Sequence, residues 1–320
     1  MNFSKELIIS MPKFGDLIVT VGDDVEIKVY TDQMTATKKL DIVSLGEDTG
    51  RYTLSKNAVD KLLSLMTDDG VEVTFTDKHA VFKSKKGRFT EKYIDVAVGD
   101  MTDNYQEEFK INGQDLKKAL TFTQKKPDNK PVLTGVNVSK THIAATDSFR
   151  MFQKGAFNAE DNITLTQEFV KEISRYEEIT LSKGEHTVKA ITPDGWTYMA
   201  TVLKEQYPNL SRFDKAYETP YKITPPMEFY EALQIASNQG IATITANQEG
   251  FKIETEEYSQ EIKADIPWIS EMAEEYRISF PKDSLVILCK YPGVIGYNGT
   301  KKPFVVEYEE DKILLVPILR

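Results

Sequence analysis

Phe109-Lys110-Ile111-Asn112, followed at helical spacing by Leu116, Ala119 and Leu120, is the stretch from which the fold can be read. An apolar residue, any residue, an apolar residue and then a helix-capping type describe a short strand with alternate burial. That strand runs into a helix whose first free N–H groups are capped. The same form recurs at Tyr52-Thr53-Leu54-Ser55, Ile163-Thr164-Leu165-Thr166, Tyr221-Lys222-Ile223-Thr224 and Ile278-Ser279-Phe280-Pro281. In the last of these proline replaces the cap, which suits a first helical turn. Successive starts lie 57, 54, 58 and 57 residues apart, and Met1-Asn2-Phe3-Ser4 supplies a sixth copy 51 residues before Tyr52.

Each opening is followed by a one-sided apolar helix: Val59, Leu62, Leu63 and Met66, then Phe169, Val170 and Ile173, then Phe229, Ala232 and Leu233. Beyond each helix the period falls from 3.6 to 2, as in Val71, Val73 and Phe75, or Val136 and Val138. Turns are expected at Gly22-Asp23-Asp24, Asp77-Lys78-His79, Ser139-Lys140-Thr141, Asp194-Gly195, 247–250 and Glu309-Glu310-Asp311. Alternate units share Thr31-Asp32, Thr146-Asp147 and Thr255-Glu256 at the end of a comparable strand, 115 and 109 residues apart. The repeat is therefore strand, helix and small meander. Two repeats make a domain, and the expected domains are 1–106, 107–215 and 216–320. Pro12 and Gly15 interrupt the first repeat and leave room for two helical turns at most.

The 320 residues are 40% hydrophobic and 28% charged, the balance of a folded globular chain. A net charge of −10 excludes a surface that is basic throughout, so any contact with nucleic acid must be local. The three thirds carry −4, +1 and −7, which makes the middle one the least acidic. A lone cysteine, Cys289, and the lack of a charged, apolar leader point to a reducing, cytoplasmic setting. Apolar runs such as 313–316 fall short of a membrane span, so no membrane partner is expected.

Catalytic signatures are missing. Lys85-Lys86-Gly87 lacks the spacing of a phosphate loop, and Ser148 has Thr146 and Arg150 where a nucleophile elbow needs glycines. His79, His142 and His186 each fall beside a turn, unpaired, and are read as solvated, so no metal or cofactor is expected. Glu254, Glu256 and Glu257, like Glu307, Glu309 and Glu310, read as solvated strand faces. Cys289 reads as a structural thiol. What remains is a basic pattern on the helices. Lys117, Lys118, Lys125, Lys126 and Lys130 precede Lys171 and Arg175 in the middle third, with Lys56 and Lys61 in the first and Lys282 and Lys290 in the last. On one surface these would contact phosphates without reading sequence. The helix carrying Glu228 and Glu231 breaks the pattern.

Two stretches, 130–136 (KPVLTGV) and 144–151 (AATDSFRM), resemble the middle domain of bacterial β sliding clamps, the processivity subunit of DNA polymerase III. Residues 207–213 (YPNLSRF) are similar to the segment closing that domain, 314–320 (LLVPILR) to the family's apolar tail, and 83–89 (KSKKGRF) to a stretch of its first domain. The order and separation of these stretches extend the resemblance over the whole chain. The shortened first helix suits a divergent member, cellular or phage-encoded.

The resemblance implies an α+β DNA-clamp fold of three similar domains, closed by two copies into a ring with helices inside and sheets outside. It implies a nonenzymatic processivity factor that encircles double-stranded DNA, serves a DNA polymerase and is placed by a clamp loader. It further implies a groove for clamp-binding peptides at Leu133, Thr146, Phe149, Arg150, Met151 and Pro208, continued by Arg212, Phe213, Leu314, Val316, Pro317 and Ile318. Phe149 and Phe213 are bulkier than the family's usual residues there. A β-rich structural or adaptor protein that binds peptides without encircling DNA is the alternative.

Overall fold

The structure is a computed structural model that describes residues 1–40, 49–99, 101–127, 130–271 and 276–318. Its regular elements form six repeats of one strand, one helix and three strands, with three short 3-10 turns besides. The first repeat is β1 (Asn2–Phe3), α1 (Lys5–Ser10), β2 (Asp16–Val21), β3 (Val25–Tyr30) and β4 (Met34–Leu40). The second is β5 (Gly50–Leu54), α2 (Asn57–Leu65), β6 (Val71–Phe75), β7 (His79–Ser84) and β8 (Gly87–Lys92). The third is β9 (Glu108–Asn112), α3 (Gly113–Leu120), β10 (Val136–Val138), β11 (His142–Thr146) and β12 (Arg150–Gly155). The fourth is β13 (Ile163–Leu165), α4 (Gln167–Ile173), β14 (Glu178–Lys183), β15 (Thr187–Ile191) and β16 (Thr197–Leu203). The fifth is β17 (Lys222–Ile223), α5 (Met227–Ser237), β18 (Ala242–Asn247), β19 (Gly250–Glu254) and β20 (Ser259–Lys263). The sixth is β21 (Tyr276–Phe280), α6 (Lys282–Lys290), β22 (Val294–Gly296), β23 (Phe304–Tyr308) and β24 (Asp311–Leu315).

Opening strands are exchanged between neighbouring repeats. β1 joins β6 and β5 joins β2, β9 joins β14 and β13 joins β10, and β17 joins β22 and β21 joins β18. Each meander thus borrows its fourth strand from its partner, which interlocks the repeats two by two. The helices bury one face each, as with Ala58, Val59, Leu62 and Leu65 on α2 and Phe169, Val170 and Ile173 on α4. Burying each large apolar side chain contributes about 1.5–3 kcal/mol.

The contacts divide the chain into two compact units, Met1–Gln114 with Leu165–Lys204, and Asp115–Thr164 with Glu205–Arg320. In the first unit β4 pairs antiparallel with β16, which gives the run β9-β14-β15-β16-β4-β3-β2-β5 beside a separate sheet β1-β6-β7-β8. In the second β12 pairs with β24, which gives β17-β22-β23-β24-β12-β11-β10 beside a separate sheet β20-β19-β18-β21.

Local signals act where expected, with two exceptions. Ser4 accepts from the Leu7 N–H at 3.2 Å and Thr166 from the Phe169 N–H at 3.3 Å, so both cap their helices. Helix α1 spans six residues, as Pro12 and Gly15 require. A Cβ on Gly15 would lie 2.1 Å from the Tyr30 carbonyl oxygen, so the chain can pass there only as glycine. Ser55, however, is no cap: α2 begins at Asn57, and the Ser55 hydroxyl donates to Glu91 at 2.8 Å. Thr224 is also displaced, because Pro226 holds the cap position of α5. The shared threonine turns are chemically alike. Thr31, Thr146 and Thr255 each accept on Oγ1 from the amide two residues ahead, at 3.3, 3.1 and 3.3 Å.

His142 corrects the reading of the histidines as solvated, since it is 3% exposed. Its Nδ1 accepts from the Asn158 N–H at 3.1 Å and lies 2.8 Å from the Ser139 hydroxyl, while Nε2 lies 2.8 Å from Asn137 Oδ1. That network assigns the neutral tautomer with hydrogen on Nε2. Burial lowers the ring's pKa to about 4, against a small opposing pull from Asp161. Cys289 is half-buried on α6, its Sγ 3.7 Å from the Tyr230 carbonyl, and burial pushes the thiol up to about 11. No helix among the described residues is long and apolar enough to cross a membrane.

Candidate functional site

A pocket of about 640 Å³ opens in the second compact unit, between the 3-10 turn at Pro131–Thr134, the end of β11 and residues 205–213. Leu133, Thr146, Pro208, Arg212 and Phe213, five of the twelve residues of the expected groove, line it, and Lys130 stands among them. Its floor is apolar, with Val132 and Leu210 buried, while Arg212 is exposed and holds its guanidinium 4.7 Å from the Phe213 ring. Buried Tyr207 fixes the outer wall by accepting the Thr146 N–H at 2.9 Å. Val132, Ser148, Glu205, Gln206, Asn209 and Leu210 complete the lining and were missed. They are mostly polar loop residues without periodicity, and only the geometry brings them together.

The other residues of the expected groove are not part of this wall. Arg150 turns back to its own turn, donating from Nε and Nη2 to Asp147 Oδ2 at 2.8 and 2.6 Å. Asp147 Oδ1 in turn accepts the Phe149 and Arg150 N–H groups at 3.0 and 2.7 Å, which leaves the Phe149 ring 67% exposed. Met151 and Leu314 are paired opposite each other and buried. Past β24 the Val316 N–H donates to the Phe149 carbonyl at 2.8 Å, and the Ile318 N–H to the Ser279 carbonyl at 2.8 Å, with buried Pro317 between. Residues 319 and 320 of the quoted tail lie outside the described residues.

The basic residues fall into two groups. Lys56, Lys117, Lys126, Lys130, Lys171, Lys282 and Lys290 are exposed, and Lys125 is exposed 3.8 Å from Asp283. Lys61, Lys118 and Arg175 are engaged by neighbouring residues, Lys61 and Lys118 half-buried and Arg175 at the surface. Lys61 binds Glu91 and covers the Phe89 ring at 5.1 Å. Arg175 donates to the Ser10 carbonyl at 3.2 Å and the Tyr198 hydroxyl at 2.5 Å, and lies 3.6 Å from Glu172. Lys118 donates to buried Asp311 at 2.8 Å and lies 3.7 Å from Asp115. Burial alone would lower the Lys118 pKa, but Asp311 and Asp115 carry it above its ordinary value. Among the described residues no cluster of His, Cys, Asp and Glu could hold a metal ion.

The chain has the sliding-clamp fold. The Helicobacter pylori beta clamp bound to a DNA ligase peptide superposes with a TM-score of 0.79 at 14% identity, over 98% of this chain and 97% of that one. The DNA polymerase III subunit beta of Pseudomonas aeruginosa gives 0.78 at 12% identity, over 97% and 93%. The DNA polymerase sliding clamp of Caulobacter crescentus gives 0.76 at 14% identity, over 97% and 93%. Neither a protein-family model nor a curated protein matches the sequence.

Proposed function

We propose that this protein is a DNA sliding clamp, a nonenzymatic homodimeric ring around duplex DNA that tethers a replicative polymerase. The observation that carries the reading is the sixfold strand-helix-meander repeat, in the arrangement of the solved clamps over nearly the whole chain. The division into domains 1–106, 107–215 and 216–320 belongs to it. The exposed lysines of α3, α4 and α6, of the loop after α3 and Lys56 just before α2 are the phosphate contacts of this reading. An acidic chain with local lysines holds DNA by enclosure and contacts it weakly enough to slide. Lys61, Lys118 and Arg175 brace that surface through the partners they hold.

The pocket at Leu133, Thr146, Pro208, Arg212 and Phe213, bordered by Phe149 and the tail, takes the peptides of polymerase, clamp loader and other partners. An apolar floor with a few polar anchors suits a short extended peptide. The Helicobacter clamp, solved with a DNA ligase peptide, supports this reading. The setting is cytoplasmic. Assembly in the presence of nicked circular duplex tests the function. Protein should stay with the circle through gel filtration and be lost once the circle is cut; equal retention on cut and closed DNA, or none on either, would contradict a topological clamp.

A further inference from the structure

We infer that Ser148 is a specificity-determining residue of the pocket, its hydroxyl forming a hydrogen bond with a backbone amide group of the docked peptide. This rests on the reading of the pocket as a peptide site. Among the described residues two other than glycine have a left-handed backbone, Ser148 at φ 80° and Glu309 at φ 54°. Glu309 lies in the short loop between paired Tyr308 and Asp311, where a tight hairpin favours positive φ. Ser148 has no such reason.

The turn that holds Ser148 is made elsewhere in the chain without a left-handed residue. In the turns beginning at Thr31, Ser139 and Thr255 the first N–H donates to the carbonyl three residues on, and the first side-chain oxygen accepts the N–H two residues on. The turn Asp147-Ser148-Phe149-Arg150 closes in the same way, through the Asp147 N–H and Asp147 Oδ1. Yet the second residues of the other three, Asp32, Lys140 and Glu256, keep a negative φ. At position 148 the left-handed conformation is held by Thr146, whose Oγ1 accepts the Ser148 N–H at 3.1 Å and donates to the Arg150 carbonyl at 2.7 Å. Glycine adopts it freely, whereas serine is strained there. What serine adds is a hydroxyl.

Ser148 is exposed and lines the pocket, and its hydroxyl makes no hydrogen bond among the described residues. A peptide that lays apolar side chains over buried Val132, Leu133 and Leu210 takes its own backbone amides out of water, and each one left unpaired weakens binding. The other uncharged polar groups of the lining are less suited to meet them. Thr146 uses its hydroxyl within the turn, and Asn209 Oδ1 accepts from the Ser211 N–H and hydroxyl at 3.0 and 2.6 Å. Exposed Gln206 has a long side chain whose rotamers binding would freeze. At Ser148 the turn has already fixed the backbone.

Short peptides selected from a random library on the unaltered protein, and weakened by Arg212→Ala, supply the probe. Calorimetry then compares the unaltered protein, Ser148→Ala and Ser148→Gly, using that peptide and versions with one backbone amide at a time replaced by an ester. Both variants should bind the peptide about fivefold more weakly. One ester should weaken binding to the unaltered protein but not to Ser148→Ala, which identifies the bonded amide. In urea, Ser148→Gly should raise the unfolding midpoint, whereas Asp32→Gly in the matching turn should lower it. A Ser148→Ala protein that binds the peptide and all its esters as the unaltered protein does would overturn the contact and leave the pocket standing. A lowered midpoint for Ser148→Gly would make serine a stabilising choice and overturn the inference. A library that yields no binder, or only binders indifferent to Arg212→Ala, would overturn the pocket reading and the contact with it.

Discussion

Lys118 on α3 and Asp311 at the start of β24 are 193 residues apart in sequence and 2.8 Å apart in space. Asp311 is 1% exposed, and Lys154 completes the group by binding Asp115 at 2.8 Å. This cluster ties α3 to the strand that leads into the tail. Lys118→Ala strands a buried carboxylate and should cost about 2 kcal/mol, below the range for fully buried pairs because Lys118 is partly solvated. Urea unfolding measures it. Lys117→Ala, on the exposed face, should leave stability unchanged and weaken DNA retention instead.

His142 should make stability fall in acid. In the folded chain its pKa is about 4, against an ordinary 6.5, so the unfolded chain binds the extra proton first. Stability is therefore intact above about pH 6.5, falls as pH drops towards about 4, and loses about 3 kcal/mol from this group. His142→Asn should lower stability at neutral pH but flatten the slope over that window. Unfolding midpoints at stepped pH decide it, and an unchanged slope would deny the burial of a neutral ring.

Tyr207→Phe removes the acceptor of the buried Thr146 N–H. The expected cost is about 1–2 kcal/mol, with a several-fold loss of peptide affinity as the outer pocket wall loosens. Calorimetry with a clamp-binding peptide reads the second quantity.

Arg212→Ala should weaken peptide binding by about tenfold, since Arg212 lines the pocket over Phe213. Arg150→Ala should act chiefly through the turn it braces at Asp147. Deleting residues 316–320 should also reduce peptide affinity while the dimer persists. Full affinity after that deletion would confine the site to the pocket proper.

Repetition made the fold legible. The openings at Phe3, Leu54, Ile111, Leu165, Ile223 and Phe280 all lie on strands preceding a helix, and the six expected turns all join consecutive strands. Proline and glycine near Pro12 and Gly15 reported the short α1 because backbone limits act locally. Ser55 was misread for the complementary reason: Glu91, 36 residues away, competes for its hydroxyl. His142 looked solvated beside a turn, yet Asn137, Ser139 and Asn158 enclose it. Of the basic set, Lys118 and Arg175 find partners 193 and 165 residues distant, at separations that no local pattern encodes. The pocket was half legible: Leu133, Thr146, Pro208, Arg212 and Phe213 stood out in quoted stretches, whereas Glu205 and Gln206 are plain loop residues until the chain is folded.

Single-particle imaging of the purified protein across a dilution series, with mass measured alongside, tests the central claim most directly. The expected particle is a dimer of the 36.4 kDa chain with a central hole and a sixfold-like outline. Compact monomers without a hole at every concentration would contradict the ring.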